Sequence, residues 1–404
     1  MSDSTAGLLA QLADTGRDAV RGGFSRPVFC TAERDLLEWA REQCSRRGLD
    51  VEVDGNGILW AWWNPTGGPL VDAVVTGSHL DSVPGGGAFD GPLGVASALR
   101  AVDLLRDRHV VPTRPLALAV FPEEEGSRFG VACLGSRLLT GALPADRALA
   151  LRDPDGDTFA DVARRAGLDP ARMGRDDGAL ARIGAFVELH VEQGRGLIDL
   201  GAPVAVASSI IGHGRWRITV HGQGNHAGTT LLAERRDPVV AAAQVVLAVR
   251  SVAAEHPDTR ATVGRFTPVP GGTNVIASRV DLWLDVRHPD DAVVAEVVAR
   301  IGRRAAAAAA VEGCTVQVHE ESVSRTVAFD VGLRDRVRAA VPGAPLLATG
   351  AGHDAGILAE RVPTAMLFVR NPTGVSHAPE EHVEDDDAER GSVALADVLA
   401  SLVG

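Results

Sequence analysis

Residues 72–91 read DAVVTGSHLDSVPGGGAFDG: a short apolar run, then one histidine and two aspartates among glycines and other small residues. A continuous apolar run of this length, bounded by turn residues, has the pattern of a strand buried on both faces. The loop that follows carries His79, Asp81 and Asp90 away from the strand's end. Three further apolar runs lead to the same kind of residue: LALAVF into the triple glutamate Glu123, Glu124, Glu125; AFVELH at His190; and TAMLFV, with His377 a few residues on. Helical spacing in GLLAQLADTG, RDLLEWAREQCSRRG and GVASALRAVDLLRDR surrounds these runs. Strands alternating with helices predict an α/β fold, a mixed sheet with helices on both faces. In open sheets of this kind, sites form beyond the carboxyl ends of the strands.

Between roughly residues 211 and 325 the pattern changes. RWRITVHG, RATVGRF, RVDLWLDVRH and TVQVHEESV read as strands, and DPVVAAAQVVLAVRSVAAE and AVVAEVVARIGRRAAAAAAVEG as helices. At 404 residues the chain exceeds one ordinary core. The expected organisation is a catalytic domain of residues 1–210 and 326–404 with a smaller α+β domain, 211–325, inserted in it.

Composition excludes several classes of function. The formal charge is −13 with acids and bases interspersed, which speaks against a nucleic-acid partner. Met1 to Gly22 lacks the basic start and apolar core of a leader, and no run approaches the roughly 18 apolar residues of a membrane span. A cytoplasmic enzyme with no membrane partner is expected. Cys30, Cys44, Cys133 and Cys314 are scattered without CxxC spacing, so they read as ordinary thiols. The glycines at 85–87 lack the lysine of a phosphate loop.

Imidazole nitrogens and carboxylate oxygens are ligands for borderline divalent ions, and a carboxylate can bridge two of them. Asp90 is the candidate bridge. The set GSHLDSVPGGGAFDGPLGV, EEEGSRF, ELHVEQG, NHAGTT, RRDP, GAGHDAG and GVSHAPEE, in that order over nearly the whole chain, resembles the M20-type metallo-amidohydrolases of the N-carbamoyl-L-amino-acid hydrolase and allantoate amidohydrolase group.

The resemblance implies two divalent metal ions per subunit, zinc or else manganese, cobalt or nickel. It assigns His79, Asp90 and His190 to one ion, and Asp90, Glu125 and His377 to the other. It makes Asp81 the acid that orients His79 and Glu124 the general base. His226 is implied as an oxyanion-stabilising group supplied across a homodimer, and the inserted domain as the lid and dimerisation domain. Asn274 and Arg287 match residues that hold a substrate carboxylate, and Gln193, His213, Gly352 and His353 match positions around the substrate.

The implied reaction is hydrolysis of the linear amide C–N bond of a small ureido carboxylate. Alternatives are an N-formyl, N-formimino or N-acyl amino-acid hydrolase of aminoacylase or dipeptidase type, and a retired binding protein on the same fold. His213 stands where allantoate-type members tend to have glutamine, Arg370 and Asn371 where PS is frequent, and NVIAS replaces NVIP. Arg370 or Arg215 near the substrate would suit a second acidic group.

Overall fold

The computed structural model describes residues 3–404; residues 1 and 2, where the segment read as lacking a leader begins, lie outside them. In chain order the strands are β1 (Asp50–Val53), β2 (Leu59–Trp63), β3 (Ala73–His79), β4 (Leu116–Phe121), β5 (Ile183–Val191), β6 (Val204–Ile210), β7 (Gly212–His221), β8 (Asn225–His226), β9 (Arg260–Val269), β10 (Val275–Ile276), β11 (Arg279–His288), β12 (Thr315–Ser324), β13 (Val327–Ala328), β14 (Leu346–Thr349) and β15 (Thr364–Val369).

The four motif-bearing runs are β3, β4, β5 and β15. They lie side by side in the order β4-β3-β5-β15, each neighbouring pair parallel. Parallel pairing sends all four chains out of the sheet at one edge, so the residues at or beyond their carboxyl ends gather there. Antiparallel β2 flanks β4, with β1 beyond it, and antiparallel β6 flanks β15. The sheet is therefore mixed, with a parallel centre.

Every residue of β3, β4 and β15 is buried, which requires cover on both faces. The period-two alternation of side chains sorts β5. Ala185, Val187, Leu189 and Val191 join the apolar core with the helices Pro92–Asp107 and Asp385–Val403. Phe186, Glu188 and His190 point to the other face, where the helix Asp354–Leu358 starts and Ala355 N–H donates to Glu188 at 3.1 Å. Polar site residues thus share a strand with core residues without interrupting the core.

The chain divides into two compact units, one running to Ser209 and again from Ala328 to Gly404, the other Ile210–Val327. The inserted unit is an antiparallel sheet in the order β12-β7-β11-β9. Ile218, Val220, Leu282, Leu284 and Val286 on one face pack with Val245 and Val249 of the helix Pro238–Ala254 and with Val297 and Ile301 of the helix Asp291–Val311. The alanine run 305–310 lies inside the second helix, as its propensity predicts. A two-stranded ribbon pairs β8 with β10. Among the described residues no helix is long and apolar enough to cross a membrane.

Candidate dinuclear metal site

At the carboxyl edge of the parallel strands, His79, Asp90 and His190 bring one ligand atom each within 4.8 Å of one another, and Asp90, Glu125 and His377 do the same. Asp90 belongs to both groups through different oxygens. Its Oδ1 faces His190 Nε2 at 3.2 Å and His79 Nε2 at 3.5 Å, and its Oδ2 faces His377 Nε2 at 3.3 Å. Glu125 Oε2 stands 3.4 Å from the same His377 nitrogen.

The histidine tautomers test whether a cation suits this place. His79 Nδ1 lies 3.1 Å from the Asp81 backbone oxygen and His190 Nδ1 lies 3.0 Å from that of Val191. A carbonyl only accepts, so both Nδ1 atoms carry protons, and each ring in its neutral form presents a lone pair at Nε2. Those two Nε2 atoms face each other at 3.4 Å beside a carboxylate oxygen. Converging lone pairs and an anion form a donor set for a divalent cation, and the residues fit the implied metal.

Burial works against the charged forms of His79 and His190, but the surrounding carboxylates, Glu124, Asp81 and Asp90 for the first and Asp90 and Glu188 for the second, raise both above the ordinary imidazole value; a divalent cation would take the place of the Nε2 protons. Burial pushes Asp90 upward, but hydrogen bonds from His190, His377 and His79 outweigh it and hold the carboxyl well below its ordinary value. The bond to Asp90 and the charge of Glu125 push the His377 imidazole up to about 9 against its partial burial. Burial raises Glu125 to about 7, with Asp90's charge adding to it. Burial also raises Glu124 well above a normal carboxyl, opposed by His79.

Glu124 is buried, with Oε2 3.7 Å from His79 Nε2 and Oε1 accepting from the Cys133 thiol at 3.4 Å. The carboxylate of Asp81 has a different task from orienting His79 alone: its two oxygens accept the Glu124 and Glu125 backbone N–H groups at 3.2 and 3.1 Å, while its nearest approach to His79 Nδ1 is 3.5 Å. The backbone carbonyl of Asp81 is the closer partner of the ring. Gln193 donates from Nε2 to Asp90 Oδ2 at 2.8 Å and lies 3.1 Å from His377 Nε2.

His353 packs edge-on against His190 with ring centroids 4.5 Å apart, and among the described residues neither of its buried nitrogens has a hydrogen-bond partner. Burial, reinforced by the charge of His190, holds it well below the usual imidazole value, so it is neutral. Gly352 is the exposed residue before it. Glu188, His190 and His353 form a third close group, in which the Glu188 carboxylate already accepts from Ser78 Oγ at 2.9 Å and from Ala355 N–H at 3.1 Å.

The inserted unit holds the other four sequence-predicted residues as two pairs. Arg287 and His213 face each other across β11 and β7. His226 pairs with Val275, next to Asn274, whose backbone oxygen accepts from Ala227 N–H at 3.0 Å. Gly228 N–H donates to His226 Nδ1 at 3.1 Å, which leaves the proton of the neutral ring on Nε2, available to an anion. The sequence expectation for Arg370 does not hold: its guanidinium is committed to Asp387 at 2.7 and 2.8 Å.

Several contributors have roles that composition does not reveal. Buried Glu381 accepts the Asp90 and Phe89 backbone N–H groups at 2.9 and 3.1 Å and fastens the loop that carries Asp90; its only signal is its place in GVSHAPEE. Glu123, the one glutamate of the three to which the resemblance gives no role, accepts from Arg128 and Phe129 N–H at 3.0 and 2.7 Å and closes the acidic loop. Gly91 has φ +85, and a Cβ there would sit 2.6 Å from two atoms of the His79 ring. Gly91→Ala is expected to cost about 1–3 kcal/mol of stability and to lower metal retention. A melting midpoint and metal content equal to the parent's would contradict that account of the loop.

Comparison with known proteins places this arrangement. The model of Peptidase family M20/M25/M40 matches residues 75–401. The chain is 36% identical to the N-carbamoyl-L-amino acid amidohydrolase of Geobacillus stearothermophilus, over 96% of this chain and 95% of that one. It is 31% identical to the allantoate amidohydrolase of Bacillus subtilis, over 100% and 98%. The crystal structure of a hydantoinase/carbamoylase-family amidase from Burkholderia multivorans superposes with a TM-score of 0.88 at 32% identity, covering 99% of this chain and 97% of that one. The chain therefore belongs to the M20 metallohydrolase family, in the group that holds the N-carbamoyl-L-amino-acid and allantoate amidohydrolases.

Proposed function

We propose that this protein is an amidohydrolase that cleaves the linear amide C–N bond of a small ureido carboxylate, an N-carbamoyl-L-amino acid or allantoate. The observation that carries the reading is Asp90, one buried carboxylate whose two oxygens serve two separate ligand groups with Glu124 alongside. The ligands are His79, Asp90 and His190 for one divalent ion, and Asp90, Glu125 and His377 for the other. Zinc, manganese, cobalt or nickel would suit these donors. Two such ions, when bound, lower the pKa of water and polarise a carbonyl oxygen.

The chain's own residues do the rest. Glu124 takes a proton from the attacking water and delivers it to the leaving nitrogen. Gln193 and His353 orient the reacting group from beside Asp90 and His190. In the inserted unit, Arg287 and Asn274 hold the substrate's carboxylate, suited to the planar fork of a guanidinium, with His213 and Gly352 as further substrate positions. The inserted unit acts as lid and dimerisation domain, and His226 stabilises the oxyanion of the partner subunit's site. Support for a second copy is the apolar outer side of the helix Pro238–Ala254, where Val240, Val246 and Leu247 are exposed. We place the enzyme in the cytoplasm, in keeping with its four free cysteines.

Purified, metal-loaded protein is expected to release ammonia from N-carbamoyl amino acids or allantoate, to lose that activity to a chelator and to regain it with a divalent ion. Amine release confined to dipeptides or N-acetyl amino acids would overturn the substrate assignment.

A further inference from the structure

Resting on the reading that Arg287 takes a substrate carboxylate, we infer that Arg215 is a second carboxylate-binding position beside it, and that the preferred substrate is the ureido derivative of a dicarboxylic amino acid.

The argument begins with register. In the antiparallel pair β7·β11, Arg287 stands opposite His213 and Arg215 opposite Asp285. Trp216, Ile218, Leu284 and Val286 are buried in the apolar core, so alternation puts His213, Arg215, Asp285 and Arg287 together on the other face. Arg215 and Arg287 are diagonal neighbours, within reach of long side chains. Both guanidinium groups converge on Asp285: Arg287 Nε donates to Oδ1 at 2.8 Å and NH2 to Oδ2 at 3.2 Å, while Arg215 Nε lies 3.5 Å from Oδ2. On the far side, β9 sets Arg260 opposite Arg287 and only Thr262 opposite Asp285.

Asp285 therefore sits among Arg215, Arg287 and Arg260, on a chain whose net charge is −13; on the other side of β7, β12 sets Ser322 opposite Arg215, and Glu321 in the bulge beside it pairs with Arg217. His213 registers the excess: burial holds its imidazole below the usual value, and the charges of Arg287 and then Arg215 reinforce it against Asp285. Arg215 is also the member that extends outward. Its side chain is 63% exposed against 27% for Asp285, and its terminal nitrogens make no hydrogen bond or ion pair among the described residues.

The two carboxyl groups of an acidic amino acid are separated by two or three carbons, so with one held by Arg287 the other is free to reach a neighbouring guanidinium. A ligand with one acid engages Arg287 alone. A ligand with two engages both and relieves the positive surplus. Arg370, bound to Asp387, offers no competing position.

The test compares N-carbamoyl-L-glutamate with its neutral isostere N-carbamoyl-L-glutamine, using full-length, metal-loaded enzyme. The parent is expected to favour the acid by about tenfold or more in kcat/KM, the scale of one charge-assisted bond. Arg215→Gln should remove that preference by raising KM for the acid, leaving kcat and the neutral substrate's constants near the parent's, and Arg215→Lys should restore part of it. Equal handling of the two substrates by the parent, or equal losses on both in Arg215→Gln, overturns this inference and leaves the functional reading standing. No turnover of any N-carbamoyl or allantoate substrate overturns the functional reading, and this inference with it.

Discussion

Glutamine in place of Glu124 is expected to lower kcat by about 10²–10⁴-fold, the usual contribution of a positioned general acid–base, with metal content and KM little changed. Glutamine preserves the shape and the buried fit of the side chain, and Glu124 belongs to neither ligand group around Asp90. What it loses is the ability to accept a proton. An equal loss of bound metal would make Glu124 a ligand instead, and near-parental kcat would remove it from the reaction. The same variant tests His226. Mixed with His226→Ala subunits, a heterodimer rebuilds one site that has both groups only if His226 is supplied across the subunits. Recovery of activity on mixing supports the arrangement in trans, and no recovery rejects it.

The second large effect is expected at Asp90. Asp90→Ala should deprive the protein of both ions together and take activity below detection. Oδ1 faces His79 and His190 and Oδ2 faces His377, and among the described residues Asp90 is the member the two groups share. Outer partners of metal ligands already cost roughly 10–100-fold in affinity when removed, and loss of a shared ligand should cost more. His377→Ala, which touches one group, should spare the ion held by His79 and His190. Retention of both ions by Asp90→Ala would refute the bridge.

Much of this organisation is legible in the sequence, for a definite reason. Buried parallel strands are uniform apolar runs, so β3, β4, β5 and β15 stand out, and parallel pairing places everything at their carboxyl ends on one edge. The residues written there, His79, Glu123 to Glu125 and His190, are therefore informative before any coordinates. Roles that depend on the chain returning from a distance are not. Glu381 reaches the Asp90 loop from nearly three hundred residues away, Cys133 meets Glu124 through the start of a short helix, and neither contact leaves a periodic trace. Asp81 illustrates a finer limit: an acid two residues after a histidine reads as its partner, yet its oxygens face the backbone of the glutamate loop. Arg370 was positioned by sequence near the last ligand loop, but Asp387, one helical segment later, claims its charge.

The most direct measurement of the central claim is a metal count joined to location: mass-spectrometric stoichiometry of the purified chain after exposure to zinc or manganese, with anomalous scattering from its crystals. The account predicts two ions per chain, one against His79, Asp90 and His190 and one against Asp90, Glu125 and His377, with Asp90 touching both. A single ion, or a pair with Asp90 outside the coordination of either, would contradict it.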